Sequence, residues 1–68
     1  MIKKDTQLRI APSKFNIIFY DENGEVGKFW WDRKELQFKF KGNVDKSAKK
    51  FIDFVLRSFQ YWFEERYG

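Results

Sequence analysis

Between Lys14 and Gly42 three apolar-rich runs are separated by two short turns, and a single helical segment follows them. A sheet built from those runs has apolar side chains on both faces, and one helix can bury only one of them. The second face must therefore meet something else: a second copy, a partner or a nucleic acid.

The first run, Lys14 to Asp21, is β-branched and aromatic, as strands are. Glu22-Asn23-Gly24-Glu25 follows, and Asn-Gly between two such runs is the strongest short hairpin signal. The second strand is then Glu25 to Trp31. Asp32-Arg33-Lys34-Glu35 turns the chain again, and Leu36 to Lys41 alternates strictly before Gly42 ends it. A two-residue Asn23-Gly24 loop pairs Ile18 with Phe29 and Ile17 with Trp30. A two-residue Arg33-Lys34 loop pairs Trp31 with Leu36 and Phe29 with Phe38. Opposed residues share a face. One face then carries Ile18, Tyr20, Phe29, Trp31, Leu36, Phe38 and Phe40, with Asn16 interrupting it and Gly27 leaving room. The other carries Phe15, Ile17, Phe19 and Trp30 beside Lys28, Gln37, Lys39 and Lys41. A one-residue slip in either turn would exchange the faces.

From Asn43 to about Tyr67 there is no Gly or Pro, and the pattern becomes helical. Asn43 or Asp45 is the expected N-cap. Val44, Ala48, Phe51, Ile52, Val55, Leu56, Phe59, Trp62 and Phe63 fall on one broad stripe, suited to the all-apolar sheet face. Phe54 and Tyr61 lie seven residues apart on the far side. A helix of about 24 residues is about 36 Å long, against about 23 Å for a seven-residue strand. Its end, with Trp62, Phe63 and Tyr67, is expected to overhang the sheet. Residues 1–13 read as a polar arm with one alternating piece, Leu8-Arg9-Ile10, that either adds a short edge strand over residues 7–10 or stays loose. Residues 14–68 read as one β-β-β-α domain.

Sixty-eight residues make one small domain, and the absence of Cys removes disulfides and thiolate metal sites as staples. Aromatics supply 22% of the chain, one way for so short a sequence to build a core. The formal charge of +4 tilts the chain towards acidic partners. No segment resembles a signal peptide or approaches a membrane span, so a soluble cytoplasmic protein is expected.

Catalytic residues are scarce. With no His and no Cys, Ser13, Ser47 and Ser58 lack a base, and Ser47 reads as a capping residue. The carboxylates Asp21, Glu22 and Glu25, and Asp32 and Glu35, cluster at the two turns, where Asp is common for conformational reasons. There is no Gly-rich phosphate loop. These features predict a binding protein rather than an enzyme, with no metal and no cofactor.

The basic-aromatic face is the candidate site. Single-stranded nucleic-acid binders stack bases on aromatic rings and track phosphates with cations. Phe19 and Trp30 are the expected stackers, Lys28, Lys39 and Lys41 the phosphate partners, and Lys46, Lys49 and Lys50 a possible extension of the strip. Phe15, Ile17, Phe54, Tyr61 and Trp62 are the expected partner or dimer interface, and a homodimer is expected.

Two resemblances accompany these readings. The run Leu36-Gln37-Phe38-Lys39-Phe40-Lys41-Gly42, followed by Asp45-Lys46-Ser47-Ala48-Lys49-Lys50-Phe51, resembles small phage and prophage proteins in which such a run follows a β-hairpin. It covers roughly residues 24–52 and implies a phage-type accessory protein inside a bacterial cell, with no assigned activity to carry across. The order of strands and one C-terminal helix, with the hairpin Asn16–Asp32, is similar to PC4-type single-stranded-DNA-binding domains, which dimerise. The first strand here lacks the basic residues of that family. The reading as a whole is an α+β fold: an antiparallel meander of three strands, or four with residues 7–10, and one helix on one face. Its expected function is nucleic-acid binding. Modulation of a host protein, or a structural homodimer using the second sheet face as its core, are the alternatives.

Overall fold

The first turn falls on Glu22 and Asn23 rather than on Asn23 and Gly24, and Gly24 already belongs to the following strand. The structure is a computed structural model describing residues 1–68. Its elements are β1 (Gln7–Ala11), β2 (Asn16–Asp21), β3 (Gly24–Asp32), β4 (Gln37–Lys41) and α1 (Lys49–Tyr67). Single 3₁₀ turns occupy Pro12–Lys14 and Lys46–Ala48. The strands form one antiparallel sheet in the order β1-β2-β3-β4, so the fold is α+β with a four-stranded meander and one C-terminal helix.

The first hairpin decides which side chains are buried. Asp21 pairs with Gly24, leaving Glu22 and Asn23 as the loop. The Asp21 carboxylate accepts the Asn23 N–H at 2.8 Å, and Gly24 takes φ +112°, which a side chain would oppose. Pairing then passes from Tyr20↔Glu25 to Phe19↔Gly27, so Val26 is an extra residue on β3. This bulge and the loop, shifted by one residue along the chain, together place Ile17 opposite Phe29 and Ile18 opposite Lys28. Compared with a plain Asn23-Gly24 loop, the register has slipped by one residue. Ile17 and Phe19 therefore turn towards the helix and are fully buried, while Ile18 and Tyr20 turn outward. The expected faces of β2 are exchanged.

The second turn also departs from expectation, without that consequence. Asp32 pairs with Gln37 and Trp31 with Phe38, so the loop is Arg33 to Leu36. The shift is two residues, an even number, and every β4 side chain keeps its face. Asp32 organises the loop: its carboxylate accepts the N–H groups of Lys34 at 2.8 Å and Glu35 at 3.1 Å, and its carbonyl accepts that of Leu36 at 2.8 Å. Leu36 leaves the sheet and sits at φ 55°, 71% exposed. A left-handed conformation costs a residue with a Cβ roughly 1–2 kcal/mol. Leu36→Gly is expected to raise stability by about 1 kcal/mol, read as a higher urea midpoint with an unchanged m-value.

Asp45 caps the helical segment. Its carboxylate accepts the Ser47 N–H at 3.1 Å and the Ser47 hydroxyl, which accounts for both residues without chemistry. The first turn is 3₁₀, and α1 proper begins at Lys49. Ile52, Phe59 and Phe63 are buried as expected, but Phe51 is 57% exposed rather than on the core stripe. The core joins Ile17, Phe19 and Phe29 of the sheet to Ala48, Ile52 and Phe59, with Leu8, Val26, Phe38, Val55 and Leu56 packed around them. Phe29 stacks on Phe38 at 4.8 Å between centroids.

Both ends of the helix are tied down. At its C-terminal end Phe63 is buried between Trp31, at 4.6 Å, and Phe15, at 5.3 Å, instead of overhanging. Near its start, Ile2 is fully buried. The Ile2 N–H donates to the Asn43 carbonyl at 2.7 Å, and the Asp45 N–H donates to the Ile2 carbonyl at 2.8 Å. Its side chain occupies the space that Gly27 leaves: a Cβ on Gly27 would lie 2.7 Å from Ile2 Cδ1 and 2.9 Å from the Lys41 carbonyl. Strand β1 pairs with β2 over Gln7–Ala11, one residue beyond the expected short strand. No helix is long and apolar enough to cross a membrane.

Candidate nucleic-acid interface

The sheet face turned away from α1 is built as rows of side chains across the strands. Cross-strand pairing puts Ala11, Asn16, Trp30 and Lys39 in one row and Arg9, Ile18, Lys28 and Lys41 in the next. Gln7, Tyr20 and Glu25 form a third. Two aromatic rings thus lie on this face, Trp30 on β3 and Tyr20 on β2. Four residues of strand separate their rows, about 13 Å.

Each ring has its own cation. Lys28 Nζ lies 5.4 Å from the centre of the Trp30 ring, and the Arg9 guanidinium lies 5.7 Å from the centre of the Tyr20 ring. Such contacts hold a cation beside an aromatic surface without neutralising it. The other two lysines are paired with carboxylates. Lys39 is held between Asp32, at 3.1 Å, and Glu35, and Lys41 stands 3.7 Å from Glu25.

These pairs account for several turn carboxylates. Hydrogen bonds from the backbone N–H of Glu35 and from Lys39 hold the Asp32 carboxyl below the usual range. The Lys39 ammonium and the Gln37 amide do the same for Glu35. Lys39 is raised in turn by Glu35 and Asp32. Because the carboxyl pKa values are depressed on folding, their stabilising effect is full above the unfolded values, near 4, and disappears as pH falls through the lower folded values. Asp32→Asn is therefore expected to lower stability near neutral pH and to flatten its decline below about pH 4, measured by urea midpoints across pH. No three His, Cys, Asp or Glu side chains stand close enough together to hold a metal ion.

Of the expected site residues, Lys28, Trp30, Lys39 and Lys41 do share the open face. Phe19 does not: it is buried opposite Gly27, and Tyr20 stands where a stacking ring was expected. Ile17 is likewise core rather than interface. Phe15 is not on the open face either; its left-handed backbone, φ 55°, turns the ring against Phe63 and Tyr67. Trp62 is half-buried against Phe59, with the Arg66 guanidinium over its ring. Lys46, Lys49 and Lys50 are exposed, but the segment bearing them packs on the other side of the sheet. They do not continue the row of sheet lysines. Phe54 and Tyr61 are exposed on α1, as their spacing predicts.

Sequence reasoning missed Arg9, Ile18 and Tyr20. Arg9 had a signal in the alternation of Leu8-Arg9-Ile10, which extends the pattern of a strand paired with β2. Tyr20 had none, because nothing in the sequence marks Val26 as the extra residue whose bulge exchanges the faces of β2.

The largest cavity lies elsewhere. It is a cleft of about 690 Å³ at the end of the sheet, lined by Phe15, Trp31, Leu36, Phe63 and Tyr67 with Arg33 at its side. No family model, curated protein or solved structure matches this chain. The class that fold and site define is a small α+β domain with an open aromatic-basic sheet face.

Proposed function

We propose that this protein binds single-stranded nucleic acid on the open face of its sheet. The observation that carries the reading is the pairing of each outward ring with a cation: Trp30 with Lys28, and Tyr20 with Arg9. A base stacked on either ring leaves its phosphate within reach of the neighbouring cation, and stacking is tolerant of sequence. Arg9 and Lys28 are the main phosphate partners, because Lys39 and Lys41 are already paired with carboxylates. The face is therefore suited to a short segment held with modest electrostatic strength.

The test is a tryptophan-fluorescence titration with single-stranded oligonucleotides at several salt concentrations. With two free cations engaged, log K is expected to fall with log salt at a slope of about −1.4. Trp30→Ala and Tyr20→Ala are each expected to weaken binding by about 1–3 kcal/mol. Asp32→Asn with Glu35→Gln releases Lys39 and is expected to tighten binding and steepen the slope. Affinity that ignores both salt and Trp30→Ala would overturn the proposal.

A further inference from the structure

The outer face of α1 carries a second apolar line that the fold does not use. Phe51, Phe54, Ser58 and Tyr61 recur at intervals of three, four and three residues, the spacing of a coiled-coil seam. The three aromatics are 57%, 63% and 67% exposed. Beside this line, Ile10 and Pro12 of the neighbouring segment form with Phe54, Val55, Phe59 and Trp62 an apolar groove of about 370 Å³.

The charges on the same segment are arranged against the helix's own dipole. Lys46, Lys49 and Lys50 stand at its start, where the dipole is positive, and its first turn has no acidic residue. Glu64 and Glu65 stand near its end, where the dipole is negative. The chain cannot pair these groups internally: Lys50 and Glu64 are fourteen residues apart, about 21 Å along the axis. None of the five takes part in an ion pair.

We infer that α1 pairs with α1 of a second copy in antiparallel fashion, through Phe51, Phe54, Ser58 and Tyr61. In that arrangement Phe54 of each copy meets Tyr61 of the other, and Ser58, close to the two-fold axis, lets the helices approach. Lys50, beside the seam at each helix start, faces Glu64 and Glu65 of the other copy. The contact is self-complementary, as a closed dimer requires. A parallel pair would put like charges together at both ends. The seam uses neither sheet face, so the dimer presents two open sheet faces, and its test is independent of nucleic-acid binding.

The experiment is sedimentation equilibrium of the whole chain from micromolar to millimolar concentration at low salt. The mass is expected to rise from 8.4 kDa towards twice that value. Lys50→Glu, and separately Glu64→Lys with Glu65→Lys, each place like charges at both contacts. Each variant is expected to raise the dissociation constant at least about tenfold. Mixed in equal amounts, the two variants are expected to form a heterodimer, and the variant carrying all three changes to regain self-association. All three positions are exposed, and circular dichroism of each variant checks that it is folded. A wild-type chain that stays monomeric throughout, or a dimer that ignores both charge reversals, would overturn the inference.

Discussion

Phe19→Ala is expected to destabilise the protein by about 3–5 kcal/mol. At roughly 0.05–0.15 kcal/mol per residue, a domain of this size has only about 3–10 kcal/mol in total. The variant should therefore be largely unfolded or close to it. The reason is its place in the sheet: Phe19 is fully buried opposite Gly27, behind the bulge at Val26. Removing its ring leaves a cavity between sheet and helix that neighbouring side chains fill only in part. Tyr20→Ala, one residue along, is expected to cost far less, since that ring lies on the open face. A plain Asn23-Gly24 hairpin reverses the order of the two effects. Urea unfolding of both variants thus reads the register directly.

Ile2→Ala is expected to cost about 2–5 kcal/mol, a large loss for a residue next to the chain start. Ile2 is fully buried and fills the space over Gly27, while its backbone joins Asn43 and Asp45. Losing the side chain opens the edge of the core beside Ala48 and loosens the cap of the helical segment. The cost should appear as a lower thermal midpoint and faster amide exchange at Asp45 and Ala48. Near-native stability of Ile2→Ala would mean that the N-terminal residues lie on the sheet without supporting it.

The contrast between these two residues shows what the sequence makes legible. Strand and helix types follow from local pattern: the β-branched run before Asn23, the strict alternation after Leu36, the long stretch after Asn43 without Gly or Pro. Those signals place all the main elements and most of the helix core. The identity of the buried face depends on a single extra residue, Val26, which no composition marks. An error of one residue moved Ile17 and Phe19 from core to surface, whereas the two-residue error at the second turn moved only Leu36, out of the sheet and into the loop. Ile2 has no periodic partner, so its burial is visible only once Gly27 is in place. Phe51 was misassigned because it lies about 100° round the helix from Ile52, at the rim of the apolar stripe rather than in its middle.

The candidate site fared better than the register that suggested it. Trp30, Lys28, Lys39 and Lys41 lie on β3 and β4, whose relative faces an even shift preserves. On β2 the slip replaced one aromatic-aliphatic pair, Phe19 and Ile17, by another, Tyr20 and Ile18. The open face therefore kept its aromatic and basic character while changing its β2 members, and it gained Arg9 from β1. The ion pairs of Lys39 and Lys41 were not readable at all, because they depend on where the turn carboxylates fall.

The most direct test of the account is residue-resolved NMR of the ¹⁵N-labelled chain during titration with a single-stranded oligonucleotide. Binding at the open face predicts shifts centred on Arg9, Ile18, Tyr20, Lys28 and the Trp30 indole N–H, with Phe19, Phe29 and Ile52 little changed. Shifts gathered on α1, or none at any oligonucleotide concentration, would contradict it.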